Sequence, residues 1–267
     1  MSEDRARPAA TGMLGTLANG VQVVEVLADG PCTIREIAEM VRLPRQTTYR
    51  LVHTLCALGW VRREPDDDTY WLASRLWEIA MRSGDEPPLP EICAGAVHAL
   101  ATRFKETVHL SVYDRGEVVY VAKADGVPPL TSYTAVGARA PAYSVATGKV
   151  LLAHQPDRVQ RAVLERPLVR HTALTLCDVR LLRRELKRIR SQGFAVNRGE
   201  WRAGIGGIAV VVPSTRGRAA AAIGFSGPAD RLLRRRTVLL DALRTAVEQM
   251  HTVGGEASDE PSLAGST

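Results

Sequence analysis

The chain lacks the long apolar segments of a membrane protein and the regularly spaced cysteines of a disulfide framework. No run of about 18 apolar residues occurs, so we expect no transmembrane helix and no membrane partner. Residues 1–10 are polar and charged and lack the apolar core of a signal peptide. The four cysteines are far apart and form no CxxC pair, which argues against disulfides and favours a reducing, cytoplasmic compartment.

The patterns of common enzymes and metal sites are missing as well. Gly148-Lys149 resembles a phosphate loop, but Val150 stands where a Ser or Thr is required, and Tyr143 replaces the first glycine. No GxSxG elbow occurs, and the candidate catalytic side chains are scattered: Ser144, Ser226, His109 and Asp178. The six histidines have no metal-ligand spacing, although a zinc site assembled in three dimensions remains an alternative. We therefore expect no catalytic residues and no cofactor.

Acidic residues are absent from one internal window, residues 41–63, which contains five arginines: Arg42, Arg45, Arg50, Arg62 and Arg63. Over residues 1–83 as a whole the acids offset the bases. The formal excess of +6 comes from later segments, chiefly 158–190 and 231–236. The local window, rather than global basicity, therefore suggests contact with a polyanion.

The window lies in a segment that predicts a winged helix-turn-helix. Thr33 and Glu36 have capping-box spacing, and apolar residues at helical spacing follow them. Pro44 ends this helix and suits the entry to a second one, which ends near Gly59. Strands at 60–63 and 69–72 flank a Pro/Asp-rich turn. Helix, short turn, helix and ribbon in this order are typical of a DNA-binding module.

The second helix has an apolar stripe formed by Leu51, Val52, Leu55 and Leu58. Its other residues are rich in hydrogen-bond donors, which suit phosphates and base edges in the major groove. The predicted DNA-binding residues are Arg45, Gln46, Thr47, Thr48, Tyr49, Arg50 and His53 on the helix, with Arg62 and Arg63 in the wing. The alternative is that this is only the solvated charged face of a small helical domain.

A Gly/Pro-rich break at 83–90 separates this module from the rest of the chain. An amphipathic helix at 73–81 precedes the break. The later segments predict an α+β domain, an antiparallel sheet covered by helices. Its expected helices lie at 91–105, 156–165, 178–191 and 229–251, and its strands at 107–114, 117–122, 131–139, 194–197, 206–213 and 219–226.

One part of this domain suggests a ligand pocket. The helix that opens near Val145 offers backbone N–H groups, and a helix N-terminus attracts carboxylates. Glycines at 204, 206, 207 and 224 would let the backbone approach a small ligand. The alternative is that these glycines only relieve crowding in turns and strands.

The complete pattern resembles the IclR family of bacterial transcriptional regulators over nearly everything from residue 14 to 251. The N-terminal match is LPRQTTYRLVHTL at 43–55. The C-terminal matches are GARAPAYSVATGKVLLA at 137–153, GFAVNRGEW at 193–201, GGIAVVVP at 206–213 and AIGFSGP at 222–228.

The resemblance implies a winged helix-turn-helix joined by a linker helix to a GAF-like effector domain. Such proteins act as homodimers or dimers of dimers (homotetramers) on palindromic operators in double-stranded DNA, and their effectors are small organic acids or aromatic catabolites. Carried over by motif, the effector-binding positions are Ala146, Thr147, Asn197, Ile205, Gly207, Gly224 and Ser226. The implied division is 1–12 disordered tail, 13–75 DNA-binding domain, 76–90 linker helix and loop, 91–252 effector-binding domain and 253–267 disordered tail.

The chain departs from the family pattern in ways that concern the ligand. Ala142-Tyr-Ser144 stands where many members have Leu-His-Ala, Asn197 where an acid is frequent and Gly224 where a Ser is frequent. A ligand less polar or bulkier than glyoxylate or pyruvate is therefore expected, and Trp201 is a candidate to line the pocket. A repressor on the bacterial nucleoid is the default expectation, because occluding a promoter demands least of the protein; an activator of a catabolic operon is the alternative.

Overall fold

The computed structural model describes residues 14–64, 67–82, 89–126, 134–213 and 219–256. The chain forms two compact units, Met1–Glu86 and Pro87–Thr267. The tail expected at 1–12 lies outside the described residues. Within the described ranges, no helix is both long and apolar enough to cross a membrane, and no three His, Cys, Asp or Glu side chains cluster as metal ligands.

The first unit is a winged helix-turn-helix, as predicted. Its elements are α1 (Gly15–Leu27), β1 (Cys32–Thr33), α2 (Ile34–Val41), α3 (Arg45–Ala57), β2 (Val61–Arg63), β3 (Thr69–Leu72) and α4 (Arg75–Arg82). The strands form an antiparallel sheet in the order β1-β3-β2. Neither α1 nor β1 was predicted from the sequence, so the sheet of this unit contains one strand more than expected.

Local signals in the sequence set the helix boundaries of this unit. The Glu36 N–H donates to the Thr33 hydroxyl at 3.3 Å and the Thr33 N–H donates to the Glu36 carboxylate at 2.8 Å, which is the predicted capping box. Arg42 ends α2 in the left-handed region at φ 55°, and Gly59 takes φ 75° just past α3. Val23, Ile37 and Val52, each 0% exposed, join α1, α2 and α3 in one core.

The second unit is the predicted α+β domain. Its helices are α5 (Leu89–Phe104), α6 (Ala146–His154), α7 (Asp157–Leu164), α8 (Val179–Gln192), α9 (Ala229–Arg234) and α10 (Arg236–Glu256). Its strands are β4 (Thr107–Asp114), β5 (Glu117–Ala124), β6 (Arg139–Pro141), β7 (Phe194–Arg202), β8 (Ile205–Pro213) and β9 (Ala219–Pro228). They form one sheet in the order β6-β5-β4-β9-β8-β7, with every neighbouring pair antiparallel.

Helices cover both faces of this sheet. Alternate residues of β8 point to opposite faces, because side chains alternate along a strand: Ile208 packs in one core and Ala209 in the other. The first core includes Phe104 of α5 and Leu243 of α10, while the second includes Leu151 of α6 and Leu186 of α8. The second face, with α6 against the sheet, is the one that positions the candidate pocket.

The prediction of one continuous helix over 229–251 is wrong. The segment breaks at Arg235, whose φ of −98° and ψ of 9° separate α9 from α10. Arg231 donates to both oxygens of Glu106 at 2.7 Å, and Arg235 donates to the Glu106 carboxylate at 3.4 Å and the Phe104 carbonyl at 3.2 Å. Contacts with a distant part of the chain therefore hold the break, and spacing within the segment carries no sign of them.

Two smaller expectations also need correction. The strand expected around 131–139 is observed as β6, which begins only at Arg139, and residues 127–133 lie outside the described residues. The C-terminal tail was expected from 253, whereas α10 continues to Glu256; residues 257–267 are not described.

Candidate functional site

The outer face of α3 carries six of the predicted DNA-binding side chains in exposed positions: Arg45, Gln46, Thr47, Tyr49, Arg50 and His53. The ring centroids of Tyr49 and His53 lie 4.1 Å apart, so these two side chains contact each other across one turn of the helix. Among the described residues, neither Arg45 nor Arg50 contacts a carboxylate. Their guanidinium groups are therefore available for phosphates or guanine edges.

Thr48 corrects the prediction for this helix. It is 0% exposed, and its hydroxyl donates to the Pro44 carbonyl at 3.3 Å. Thr48 lies one turn before the buried Val52, on the face that packs into the core. Its side chain cannot reach DNA, and its hydroxyl finds its hydrogen-bond partner within the helix instead.

The wing arginines are exposed but already paired. Arg62 donates to Glu64 at 2.9 Å and lies over the Trp71 ring at 5.3 Å, while Arg63 pairs with Asp68. The acid-free window at 41–63 stopped just short of both acids, which is why the sequence did not show these pairs. Solvent-exposed ion pairs contribute only about 0–1 kcal/mol, so phosphates could replace either carboxylate.

A concave surface connects the start of α2, the outer face of α3 and the wing. Arg35, Arg45, Tyr49, Arg63 and Tyr70 are among the residues that line it. The major groove of B-DNA, about 12 Å wide, admits an α-helix such as α3. The arrangement can place donors from two elements on one duplex.

A cavity of about 50 Å³ lies in the second unit, between the start of α6 and the facing strands. Its lining includes all seven residues carried over from the family motifs: Ala146, Thr147, Asn197, Ile205, Gly207, Gly224 and Ser226. The other lining residues are Thr107, His109, Tyr120, Thr134, Val145, Trp201, Arg202, Gly206 and Phe225. Trp201 lines the cavity as expected, whereas His109 and Tyr120 were not identified as pocket residues.

The first turn of α6 presents unpaired backbone donors to this cavity. Val145 caps the helix without a side-chain hydrogen bond, and the first internal bond runs from the Lys149 N–H to the Val145 carbonyl at 2.8 Å. In the described part of the chain, the N–H groups of Ala146, Thr147 and Gly148 therefore lack partners. Together with the helix dipole they form a site suited to one carboxylate.

Lys149 is buried behind this turn, where its side chain binds groups of the protein core and is not available to bind a phosphate. Its side chain is 1% exposed, and its ammonium donates to both oxygens of Glu200, at 2.6 and 2.8 Å, and to the Val196 carbonyl at 2.7 Å. Burial raises the pKa of Glu200, and the attraction of Lys149 only partly opposes this rise. The Gly-Lys pair thus fixes α6 to β7, which agrees with the rejection of a phosphate loop.

The polar groups inside the cavity are neutral. Burial lowers the pKa of His109 to about 3, with a smaller contribution from Lys123, so its imidazole is uncharged at neutral pH. Its Nε2 lies 2.6 Å from the Thr134 hydroxyl, and its ring lies 4.8 Å from that of Tyr120, whose pKa burial raises. Among the described lining residues, Arg202 alone carries a formal charge. It is exposed and lies over Trp201.

Asn197 and two of the glycines have structural explanations of their own. The Asn197 side-chain oxygen accepts from the N–H groups of Gly199 and Glu200 at 3.0 and 2.8 Å, which shapes β7 near the pocket. A Cβ at Gly224 would lie 2.7 Å from the Ile208 carbonyl, and one at Gly206 would lie 2.8 Å from Ala229. Relief of crowding therefore accounts for Gly206 and Gly224 without a ligand.

The buried His109 predicts a loss of stability in acid. Its folded-state pKa of about 3 lies below the unfolded value of 6.5, so stability is fully present above pH 6.5 and falls as pH drops toward 3. The contribution is at most about 1.4 kcal/mol per pH unit. Urea unfolding of wild type and His109→Gln between pH 7 and 5 should show a shallower decline for the variant. A change at the exposed His98, His98→Gln, should leave the decline unaltered; equal slopes for wild type and His109→Gln would contradict the assignment.

Comparisons with known proteins match both units. Residues 85–252 match the family described as "Bacterial transcriptional regulator IclR C-terminal", and residues 16–69 match the MarR family. The HTH-type transcriptional regulator KdgR of Escherichia coli is 30% identical over 226 residues, covering 84% of each chain. The HTH-type transcriptional repressor AllR of Salmonella typhi is 25% identical over 237 residues, covering 88% of this chain and 87% of the relative.

A solved structure of an IclR homologue from Microbacterium hydrocarbonoxydans, complexed with 4-hydroxybenzoate, has a similar fold. It superposes with a TM-score of 0.77 at 28% sequence identity, covering 89% of this chain and 98% of that chain. The agreement spans the helix-turn-helix, the sheet and its helices, and the family match extends over more than half of the chain. The chain therefore belongs to the IclR family and is a DNA-binding transcriptional regulator.

Proposed function

We propose that the protein is a repressor whose operator binding is modulated by a small organic acid, aromatic acids included, bound in the cavity at the start of α6. It would act in the cytoplasm as a homodimer or dimer of dimers, with one α3 in each half-site of a palindromic operator. The observation that carries the ligand proposal is the set of partnerless N–H groups in the first turn of α6, where Ala146 and Thr147 line the cavity.

The charge distribution favours an acid held by dipoles. Arg202 is the one charged side chain among the described lining residues and it is exposed, while His109 is neutral and Lys149 is paired with Glu200. A carboxylate bound at the α6 N-terminus would gain the helix dipole and up to three hydrogen bonds. The hydroxyls of Thr107, Thr134 and Thr147 can orient the remainder of the molecule.

The apolar lining favours a ring or another compact apolar group. Val145, Tyr120, Trp201, Ile205 and Phe225 supply most of the wall. The structural relative carries 4-hydroxybenzoate, which supports the aromatic class as a candidate here. The cavity of about 50 Å³ is smaller than the roughly 150 Å³ cavity known to admit benzene, so a benzoate must displace lining side chains. A ligand that fits only after these side chains have moved binds the two conformations with different affinities. Such a difference in affinity is what shifts a conformational equilibrium.

The repressor assignment rests on a simple physical argument and on one relative. A dimer bound across a promoter blocks access of the polymerase without any further contact, whereas an activator needs a second surface that binds the transcription machinery. AllR, which shares 25% identity over most of the chain, is named a repressor.

Thr147 offers a direct test of the ligand site. Thr147→Asp places a carboxylate of nearly the same size in the first turn of α6, where the dipole stabilises it, so the variant should fold with its own acid in the site. Wild type and the neutral control Thr147→Asn should rise in melting temperature with at least one acid from a panel of 4-hydroxybenzoate, pyruvate and glyoxylate. Thr147→Asp should show no rise.

The matched neutral ligand sharpens this test. Where 4-hydroxybenzoate is effective, 4-hydroxybenzamide should have little effect, because it lacks the charge that the helix dipole attracts. Equal responses to acid and amide, an undiminished response in Thr147→Asp, or no response of wild type to any of the acids would contradict the proposed ligand class.

A further inference from the structure

The segment 156–192, which contains α7 and α8, is the part of the chain in which positive charge is most concentrated. It has ten Lys and Arg residues against four Asp and Glu residues, an excess of six, equal to the formal net charge of the whole chain. All ten cationic residues are exposed. This concentration of charge has no part in the pocket or in the helix-turn-helix.

The core fixes the direction in which α8 presents its cations. Leu182, Leu186 and Ile189 are at most 1% exposed and belong to the core that α8 shares with α6 and the sheet. The opposite surface holds five basic residues, which we call the α8 cationic face: Arg180, Arg183, Arg184, Lys187 and Arg190. With 14 residues, α8 is about 21 Å long, so the face extends along roughly six base pairs of B-DNA.

Few carboxylates neutralise this surface. Glu185 pairs with Arg188 at 2.8 Å, and Asp178 is occupied in capping α8 by accepting from the Arg180 and Leu181 N–H groups. In the described part of the chain, no carboxylate pairs with any member of the α8 cationic face. Like charges at i,i+4, such as Arg183 and Lys187, repel each other and weaken the isolated helix. A polyanion bound along the face would relieve this repulsion.

We propose that the α8 cationic face binds backbone phosphates of duplex DNA next to the operator, as a second contact independent of base sequence. The proposal rests on the DNA binding of the helix-turn-helix, which brings the polyanion to the protein. Once that module is bound, flanking phosphates are present at high effective concentration, so each weak phosphate contact becomes intramolecular. Four of the five members are arginines, whose planar guanidinium groups bind phosphate in bidentate fashion.

The test compares two full-length variants that lose the same charge. Arg183→Gln/Lys187→Gln removes two members of the face, and Arg234→Gln/Arg236→Gln removes two exposed cations from α9 and α10 as a control. Binding to a DNA duplex limited to the operator and to the same operator with about 30 flanking base pairs on each side is measured over a series of salt concentrations. On the long duplex, Arg183→Gln/Lys187→Gln should reduce the slope of log K against log salt by about two.

The expected pattern has three parts. Wild type binds the long duplex more tightly and with a steeper salt slope than the short one. Arg183→Gln/Lys187→Gln narrows that difference, and the control variant keeps it in full. Equal slopes for wild type and the α8 variant on long DNA, or the same loss in both variants, would overturn the proposal. Failure of the helix-turn-helix itself is distinguishable, because it would abolish specific binding on both duplexes.

Discussion

Replacing Lys149 by methionine is expected to destabilise the second compact unit by about 3–5 kcal/mol. The variant leaves the Glu200 carboxylate buried, at 5% exposure, without its ammonium partner. Its one other hydrogen bond in the described residues is a long one, 3.4 Å from the Arg198 N–H, and Glu185 nearby raises its pKa further. Urea denaturation followed by circular dichroism would measure the loss.

A second variant, Lys149→Met/Glu200→Gln, tests whether the unpaired Glu200 carboxylate causes the loss of stability. It removes the uncompensated charge and should recover most of the lost stability. In Lys149→Met alone, the raised pKa of Glu200 means that stability returns as pH falls and the carboxyl becomes neutral, so the difference from wild type should narrow between pH 7 and 5. A pH-independent difference, or a double variant no better than the single one, would show that the pair does not act as a buried ion pair.

Replacing Arg45 and Arg50 together by alanine is expected to weaken operator binding by about 30-fold or more, because each bidentate contact to a guanine edge contributes about 1–3 kcal/mol. Both side chains are exposed on α3, and neither is paired with a carboxylate among the described residues. Alanine favours the helix, so the fold should be retained. Fluorescence anisotropy with labelled operator and with random DNA would measure the effect.

The control for this prediction is Arg234→Ala/Arg236→Ala, which removes two exposed charges from the second unit. It should keep discrimination between operator and random DNA, whereas Arg45→Ala/Arg50→Ala should bring the two affinities close together. Equal losses in both variants would indicate that net charge, and not the α3 surface, determines binding.

Features coded by neighbouring residues could be predicted from the sequence. The capping box of Thr33 and Glu36, the turn before Pro44 and the hairpin between β4 and β5 depend on contacts a few residues apart, and the structure has all three. The assignment of Thr48 to the DNA surface failed for a different reason. Thr48 was assigned to the DNA surface because its hydroxyl is a donor. It lies four residues before Val52, however, and this spacing already places it on the buried face of α3.

Features that depend on tertiary contacts could not be predicted in this way. The break at Arg235 depends on Glu106, and the cavity gains His109 and Tyr120 only because β4 and β5 are brought opposite α6 by the sheet order. The seven motif positions do line one cavity, but family resemblance supplied them, not spacing. Their role in holding an effector stays a prediction.

In the proposed function, a small acid bound in the second unit changes the specific DNA binding of the first. This coupling is measured by a salt-controlled mobility shift on the DNA upstream of the protein's own gene, with the acid panel added. We expect binding tighter than to random DNA, and a change in operator affinity with at least one acid in wild type but not in Thr147→Asp. Specific binding whose affinity no acid changes, or an equal change in affinity for wild type and Thr147→Asp, would contradict the proposed coupling.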